Sequence, residues 1–295
     1  MEMQPKNLGS LIQATELIKR LNQLELIQIP IDLSLPLLPQ VVFAPMFGTF
    51  EFVPNFTTES EEEQQAILSK LDYIYSAHLQ FCATVDLKLD EWILNFVENF
   101  AVINPATSLS TYHLPQRAKP KALIVGNGPS ADKLKIMDLS EYEIYSCWHA
   151  GYKVPGGPDY VMHSSTLVPI DIVPRPFPSK TRFVGECTTA PLFYQLAKAN
   201  HNQIYVHYNR ENRFDYALVE QFKIPPAPIN QSTVSVTAIN AAIQCGHDDI
   251  TLIGVDLSGP GHIDGMRTAL ELIPRIYADI KFHNLSTSDI KGFTT

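Results

Sequence analysis

Cysteine is scarce and scattered in this chain. Its 295 residues hold four, at Cys82, Cys147, Cys187 and Cys245, and no two of them form a CxxC pair. A thiolate zinc site is therefore not expected, and the four read as free buried thiols. Basic residues are outnumbered: 22 Lys and Arg stand against 31 Asp and Glu, a formal charge of −9. Gripping a phosphate backbone takes Lys and Arg, so a dedicated nucleic-acid binder is not expected. No apolar run is long enough to span a bilayer. Met1 to Leu26 has no basic patch ahead of an apolar core, so no secretory signal is read there and a cytoplasmic location is expected. No internal repeat or low-complexity tract is visible. What remains is 45% hydrophobic and 18% charged, too apolar for a disordered chain and sufficient for a sizeable core.

The chain divides near Lys119. Leu8 to Leu26 carries apolar residues at near-helical spacing. A proline-punctuated stretch through Pro30, Pro36 and Pro39 cannot be one regular element, and Val41 to Ala44 reads as a short strand. Thr58 opens a second helical segment, with Glu59, Glu61, Glu62 and Glu63 in its first turns complementing the macrodipole. Leu87 to Ala101 reads as a third helix. Asn104 to Lys121, with three prolines, reads as a linker. These readings give a largely helical N-terminal region over 1–118 and a second domain over 119–295.

In the second domain strands alternate with helices. Strand readings fall at Ala122–Val125, Glu143–Trp148, Asp159–His163, Arg182–Gly185, Ile204–His207, Ile250–Val255 and Ile280–His283. Helix readings fall at Ala131–Leu139, Val234–Gln244 and Asp264–Ala278, with Gly246 suited to a helix C-terminus. The alternation predicts an α/β, Rossmann-like, mostly parallel sheet with helices on both faces.

Two clusters carry candidate chemistry. Gly126, Asn127, Gly128, Pro129 and Ser130 follow the first strand, where ligands of doubly wound folds bind. Glycines allow a tight turn and a close approach, and a helix start offers N–H groups to a phosphate. Ser130 could cap the helix or bond a phosphate oxygen, and Asn127 is placed for a base or ribose. The same turn without a ligand is the structural alternative: Lys133 stands where a GxGxxG fingerprint wants glycine, and no P-loop is present. The second cluster is Ser232, Thr233 and Ser235 ahead of a small-residue helix, with Asp256 ending the following strand. The hydroxyls suit a phosphate or sugar carboxylate. Asp256 could bind a hydroxyl or a metal. Plain helix capping is the alternative for Ser232. A Gly-rich loop from Ser258 to Gly265 could close over a substrate. Within it His262 is the candidate general base, because imidazole titrates near neutrality. His149, His163 and His283 also fall near strand ends. No metal-ligand spacing such as HxxxH occurs.

Taken together, these segments resemble the central domain of the Maf (motility accessory factor) proteins. The carrying residues are Ala122 to Ser130, reading Ala-Leu-Ile-Val-Gly-Asn-Gly-Pro-Ser, then Pro158 to Val161, Ser232 to Ser235, and Ile253 to Leu257. Phe282 to Ser286 and Lys291 to Phe293 resemble the family's closing strand and turn. The family is linked to glycosylation of flagellin with sialic-acid-like sugars. The same motif order resembles a family of bacterial sialyltransferases that use a CMP-sugar donor. That resemblance implies that Asn127, Gly128 and Ser130, with Thr233 and Ser235, hold the nucleotide. Gly126, Asp159 and Ser232 are carried along as substrate-binding positions, and Asp256 and His262 as catalytic ones. No His-Ser-Lys-type motif follows Asp256, so His262 is simply the nearest candidate base. A third similarity, to an archaeal-type pterin pyrophosphokinase, lacks the acids expected after Pro158 and Asp159, where Ser164, Ser165 and Thr166 stand.

The resulting expectation is a Maf-like glycosyltransferase moving a nonulosonic sugar from a CMP-activated donor to a protein, possibly flagellin, or to a glycan hydroxyl. Amides near Gly128 and hydroxyls near Ser235 would stabilise the departing phosphate. No cofactor or metal is required, because phosphate is already the leaving group. The alternatives are a 6-hydroxymethylpterin pyrophosphokinase-like diphosphotransferase and a non-catalytic Maf-like binding protein.

Overall fold

The structure is a computed structural model that describes residues 109–164, 174–207, 233–258 and 263–295, with Asn95, Asn99, Val102 and Ile103. The readings at Leu8–Leu26, Val41–Ala44 and Thr58 lie outside the described residues, as do Cys82, Ser232 and His262. Asn95 and Asn99, inside the third helix reading, are helical.

Among the described residues eight parallel strands form one sheet. They are β1 (Leu109–Ser110), β2 (Lys121–Val125), β3 (Tyr142–Cys147), β4 (Tyr160–His163), β5 (Arg182–Gly185), β6 (Ile204–Val206), β7 (Asp249–Ile253) and β8 (Lys281–Asn284). Their order is β1-β6-β5-β4-β3-β2-β7-β8. From β2 the chain steps outward through β3, β4, β5 and β6, then returns to place β7 on the other flank of β2. The order therefore reverses between β2 and β7. Strand β1 lies inside the stretch read as a linker. Its two residues pair with Tyr205 and Val206 and extend the sheet by one short edge, so the sheet begins ten residues before the expected boundary.

Helices cover both faces, as the alternation predicts. They are α1 (Trp148–Gly151), α2 (Pro191–Ala199), α3 (Val234–Gln244) and α4 (Ile263–Ile276). Strand β2 shows why both are needed. Ala122 and Ile124 pack toward α3 and α4 with Val236, Ile239, Leu270 and Ile273. Leu123 and Val125 pack on the opposite face with Ala131, Leu134 and Ala150. A strand buried on both faces has no polar side, so its sequence is a continuous apolar run. Helix α3 has the bounds its sequence predicts, and it ends as expected: Gly246 takes φ +86° and its amide bonds the Ile243 carbonyl at 2.9 Å.

One helix differs from its reading. The stretch after the first turn is a 3-10 helix over Pro129–Ile136, where an α-helix was expected. Its apolar residues Ala131, Leu134 and Met137 recur every third position and pack on one face. That is the three-residue period of a 3-10 helix, in which i and i+3 eclipse. Helices α1 and α2 were not read from the sequence. Helix α1 has four residues, too few to show a period.

Candidate functional site

In an open parallel sheet the crevice for a ligand lies outside the carboxyl ends of the strands where the order reverses. Here that is the junction of β2 and β7, where the Gly126–Ser130 turn and Asp256 meet. The turn from Gly126 follows β2, Gly254 to Asp256 follow β7, and Asn284 to Ser288 follow β8. Helix α3 starts beside the end of β3, with Ser235 Oγ 4.0 Å from Cys147 Sγ.

The glycines of the turn are explained by the two strand ends meeting. A Cβ on Gly126 would strike the Gly254 carbonyl, and a Cβ on Gly254 would strike that of Gly126. Two backbones cross here with no room for a side chain. Gly254 also holds φ +72°, a conformation that disfavours other residues. Gly128 faces Asp256, whose carboxylate fills the space where its Cβ would stand. The Gly126 amide donates to Ile253 O at 2.8 Å and the Gly128 amide to Gly254 O at 2.7 Å.

Ser130 closes the other side of the turn. Its hydroxyl accepts from the Gly254 amide at 2.8 Å, and its amide donates to Asp256 Oδ2 at 2.8 Å. The second oxygen, Oδ1, accepts from the Thr287 amide at 2.7 Å and from its hydroxyl at 2.8 Å. Asp256 is only 9% exposed. Burial on its own would raise its pKa. The hydrogen bonds from Ser130 and Thr287 outweigh burial and bring it down to about 2. The β8 loop is tied in as well: Ser286 Oγ accepts from the Val255 amide at 2.9 Å and Ser288 Oγ donates to Val255 O at 2.7 Å.

These bonds bear on two expectations. Amides near Gly128 were expected to stabilise a departing phosphate; those of Gly128 and Ser130 donate to Gly254 O and Asp256 Oδ2. Asp256 was expected among the catalytic positions, and its two oxygens accept from Ser130 and Thr287. Asp159 was expected among the substrate-binding positions. It precedes β4, at the amino end of the sheet, so it is at the far end of the strands from the crevice. Its carboxylate accepts from the Ile144 amide at 2.9 Å and lies 3.9 Å from Lys119 Nζ.

The residues left at the crevice are fewer. Asn127 is exposed while Gly126 and Ser130 are buried. Lys153 Nζ, from the turn after α1, reaches the Asn127 carbonyl at 3.4 Å and brings a positive charge to the turn. Thr233 caps α3, its side chain accepting from Val236 N at 3.5 Å, and Ser235 is buried in the first turn. Among the histidines, His163 ends β4 and packs edge-on to Trp148, with ring centroids 4.7 Å apart. His283 sits within β8, bonded to Thr294 Oγ1 at 2.8 Å. His207 follows β6, and burial lowers its pKa to about 4, so it is neutral at pH 7.

Sequence reasoning missed the loop from Asn284 to Ser288. Its signal was present: Ser286, Thr287 and Ser288 are short polar side chains just past a strand. Lys153 carried no signal, because only the fold brings it to Asn127. Cys147, Cys187 and Cys245 are buried. Among the described residues no group of three or more His, Cys, Asp or Glu side chains could hold a metal, and no helix is long and apolar enough to cross a membrane.

No family model matches this chain, and no curated protein matches it. Among solved structures it is similar to the sialyltransferase CstII from Campylobacter jejuni in complex with cytidine-5'-monophosphate. The identity is 16%, over 60% of this chain and 85% of that one, with a TM-score of 0.35. A structure of the same enzyme with CMP-3FNeuAc matches at 14% identity over 59% of this chain and 85% of that one, TM-score 0.35. The form with trisaccharide acceptor and CMP matches at 14% over 59% and 86%, TM-score 0.35.

Proposed function

We propose that this chain is a glycosyltransferase that binds the nucleotide of a CMP-activated sugar in the crevice between β2 and β7. The observation that carries the reading is the reversal of strand order between those strands, which puts the Gly126–Ser130 turn, the start of α3 and the Asp256 loop on one edge. The donor is a sialic-acid-like, nonulosonic sugar, as the resemblance to Maf proteins and bacterial sialyltransferases implies. The acceptor is a hydroxyl of a glycan or of a protein such as flagellin.

In the proposed step the acceptor oxygen attacks the anomeric carbon. The bond from that carbon to the phosphate oxygen breaks, and CMP leaves with the bonding pair. The acceptor proton passes to a base, for which His262 remains the nominee. Asn127 reads the nucleotide, while Thr233 and Ser235 hold it from the α3 side. The Lys153 ammonium takes part of the electrostatic role that the amides of the turn cannot fill, since a fixed cation beside a departing phosphate lowers the barrier. No metal is needed where the leaving group is already a phosphate monoester.

Calorimetry with CMP tests the donor site. The expected result is saturable binding that Asn127→Ala weakens by on the order of tenfold, the worth of one good hydrogen bond to a charged or polar ligand. Absence of heat at millimolar CMP sinks the assignment. A second reading, a binding protein of the same architecture without transfer chemistry, is favoured by one observation: Ser130 and Asp256 are spent on internal bonds. Both readings expect CMP to bind. Release of CMP from a CMP-sugar, lost in His262→Ala, separates them.

A further inference from the structure

We infer that Asp256 is a positioning residue, a resident anion of the turn that fixes Asn127 for the nucleotide. This inference rests on reading the β2/β7 crevice as the nucleotide site, and it adds the group that shapes that site.

The argument starts from what a helix start usually does. Unpaired amides there attract an anion, and in many nucleotide sites the anion is the ligand's phosphate. In this chain the amide of Ser130 already has an anion, the Asp256 carboxylate at 2.8 Å. The next amide, from Ala131, bonds Gly128 O at 3.1 Å, and Pro129 has none to give. A phosphate that approached those amides would meet a carboxylate already seated there.

The same carboxylate reaches across to the β8 loop through both polar groups of Thr287. One side chain therefore joins the ends of β2, β7 and β8. Its reach is short because Gly128 has no Cβ: any larger residue would occupy the carboxylate's place. On the other side the turn is pinned by Gly128 N to Gly254 O and by Gly254 N to Ser130 Oγ. Asn127 lies between the Gly126 N–Ile253 O and Gly128 N–Gly254 O bonds and is exposed. With the Asp256 carboxylate packed against Gly128, the main chain on both sides of Asn127 is held, so its side chain starts from a fixed Cα. An ordered donor loses less entropy on binding than a mobile one.

Asp256→Asn tests this directly. The replacement keeps the shape but turns one acceptor oxygen into an NH2 donor, so Ser130 N or Thr287 N faces a donor. Hydrogen exchange at Gly128 and Ser130 is expected to quicken by on the order of tenfold or more, the cost of one charge-assisted bond, while exchange within β3 stays unchanged. CMP affinity falls by a similar factor. A double-mutant cycle supplies the readout that a loss of stability would not move. In an Asn127→Ala background, Asp256→Asn adds less than about twofold, because the residue it positions is gone. Unchanged exchange at Gly128 and Ser130 overturns the inference, and so does the same fold-loss of affinity in both backgrounds. If the wild-type chain binds no CMP, the nucleotide reading falls, and the exchange result alone decides whether Asp256 fixes the turn. Should Asp256→Asn fail to fold, Thr287→Val serves. It removes one of the three bonds and is expected to move exchange at Ser130 in the same direction by less; no movement there overturns the inference.

Discussion

Replacing Gly254 with alanine isolates the close approach of β2 and β7, because a second glycine provides the control. Gly254 has φ +72° and Gly156 has φ +76°. A Cβ at Gly156 meets nothing within 4 Å, whereas at Gly254 it meets the carbonyl of Gly126, with the carbonyl carbon at 2.8 Å and Ala131 Cβ at 3.0 Å. The two substitutions share the same backbone strain, about 1–2 kcal/mol for a Cβ in the left-handed region. Only Gly254→Ala adds overpacking, typically about 1–3 kcal/mol and more when the obstacle is backbone. Gly254→Ala is thus expected to cost about 3 kcal/mol or more, and Gly156→Ala about 1–2 kcal/mol. Urea unfolding followed by far-ultraviolet circular dichroism measures both from their midpoints. The strand ends must separate to admit the methyl group, so Gly254→Ala is also expected to weaken CMP binding while Gly156→Ala does not. Equal costs for the two variants would refute the reasoning: strain would then be the whole effect, and the crossing of the two backbones would carry no weight.

Further expectations follow from buried charges. Asp256 is held at about 2, below its ordinary value of 3.8, so its contribution is complete above about pH 4 and is lost as pH falls toward 2. The shift is worth about 2 kcal/mol, and Asp256→Asn is expected to flatten the stability profile across that window. His207 works in the other direction. Burial lowers its pKa from 6.5 to about 4, so the unfolded chain takes up a proton first as the medium is acidified. Stability is expected to fall by roughly 3 kcal/mol between pH 6.5 and 4, and a profile unchanged by His207→Leu would count against this. Glu143, 2% exposed, accepts from the Ala118 amide at 2.8 Å and lies 3.1 Å from His247 Nε2. Burial pushes its pKa up, but the bonds to His247 and Ala118 outweigh that and lower it. Glu143→Ala leaves the buried His247 without this bond and is expected to cost about 1–3 kcal/mol in urea unfolding.

The strands of the sheet were legible because a strand covered on both faces must be apolar throughout. Ala122 to Val125 is such a run, and Ile250 to Ile253 is one but for the buried Thr251. The Val234–Gln244 helix was legible from its small residues and its terminal glycine. Leu109–Ser110 was not, because a two-residue edge strand carries no period and it lies in a stretch bounded by Pro105 and Pro115. Nor was the 3-10 geometry of Pro129–Ile136, since an apolar residue every third position suits both helix types over so short a span. Of the candidate site, Gly126, Asn127, Gly128 and Ser130 were singled out by their place after a strand, and they do follow β2. Asp159 was carried along by motif alone, and its position before β4 takes it out of the crevice.

Sequence alone determined an alternating α/β chain with a tight Gly-Asn-Gly-Pro-Ser turn after its first long strand and an acid after a late one. Those are local properties, set by which side chains bury on two faces and which backbones turn. What only the tertiary structure decided was that the late strand β7 returns to lie beside β2. Strand order is a matter of long-range pairing, which no local pattern encodes. That single adjacency brings Asp256 to the Ser130 amide and Gly254 to the Ser130 hydroxyl, so the turn after β2 and the loop after β7 are joined.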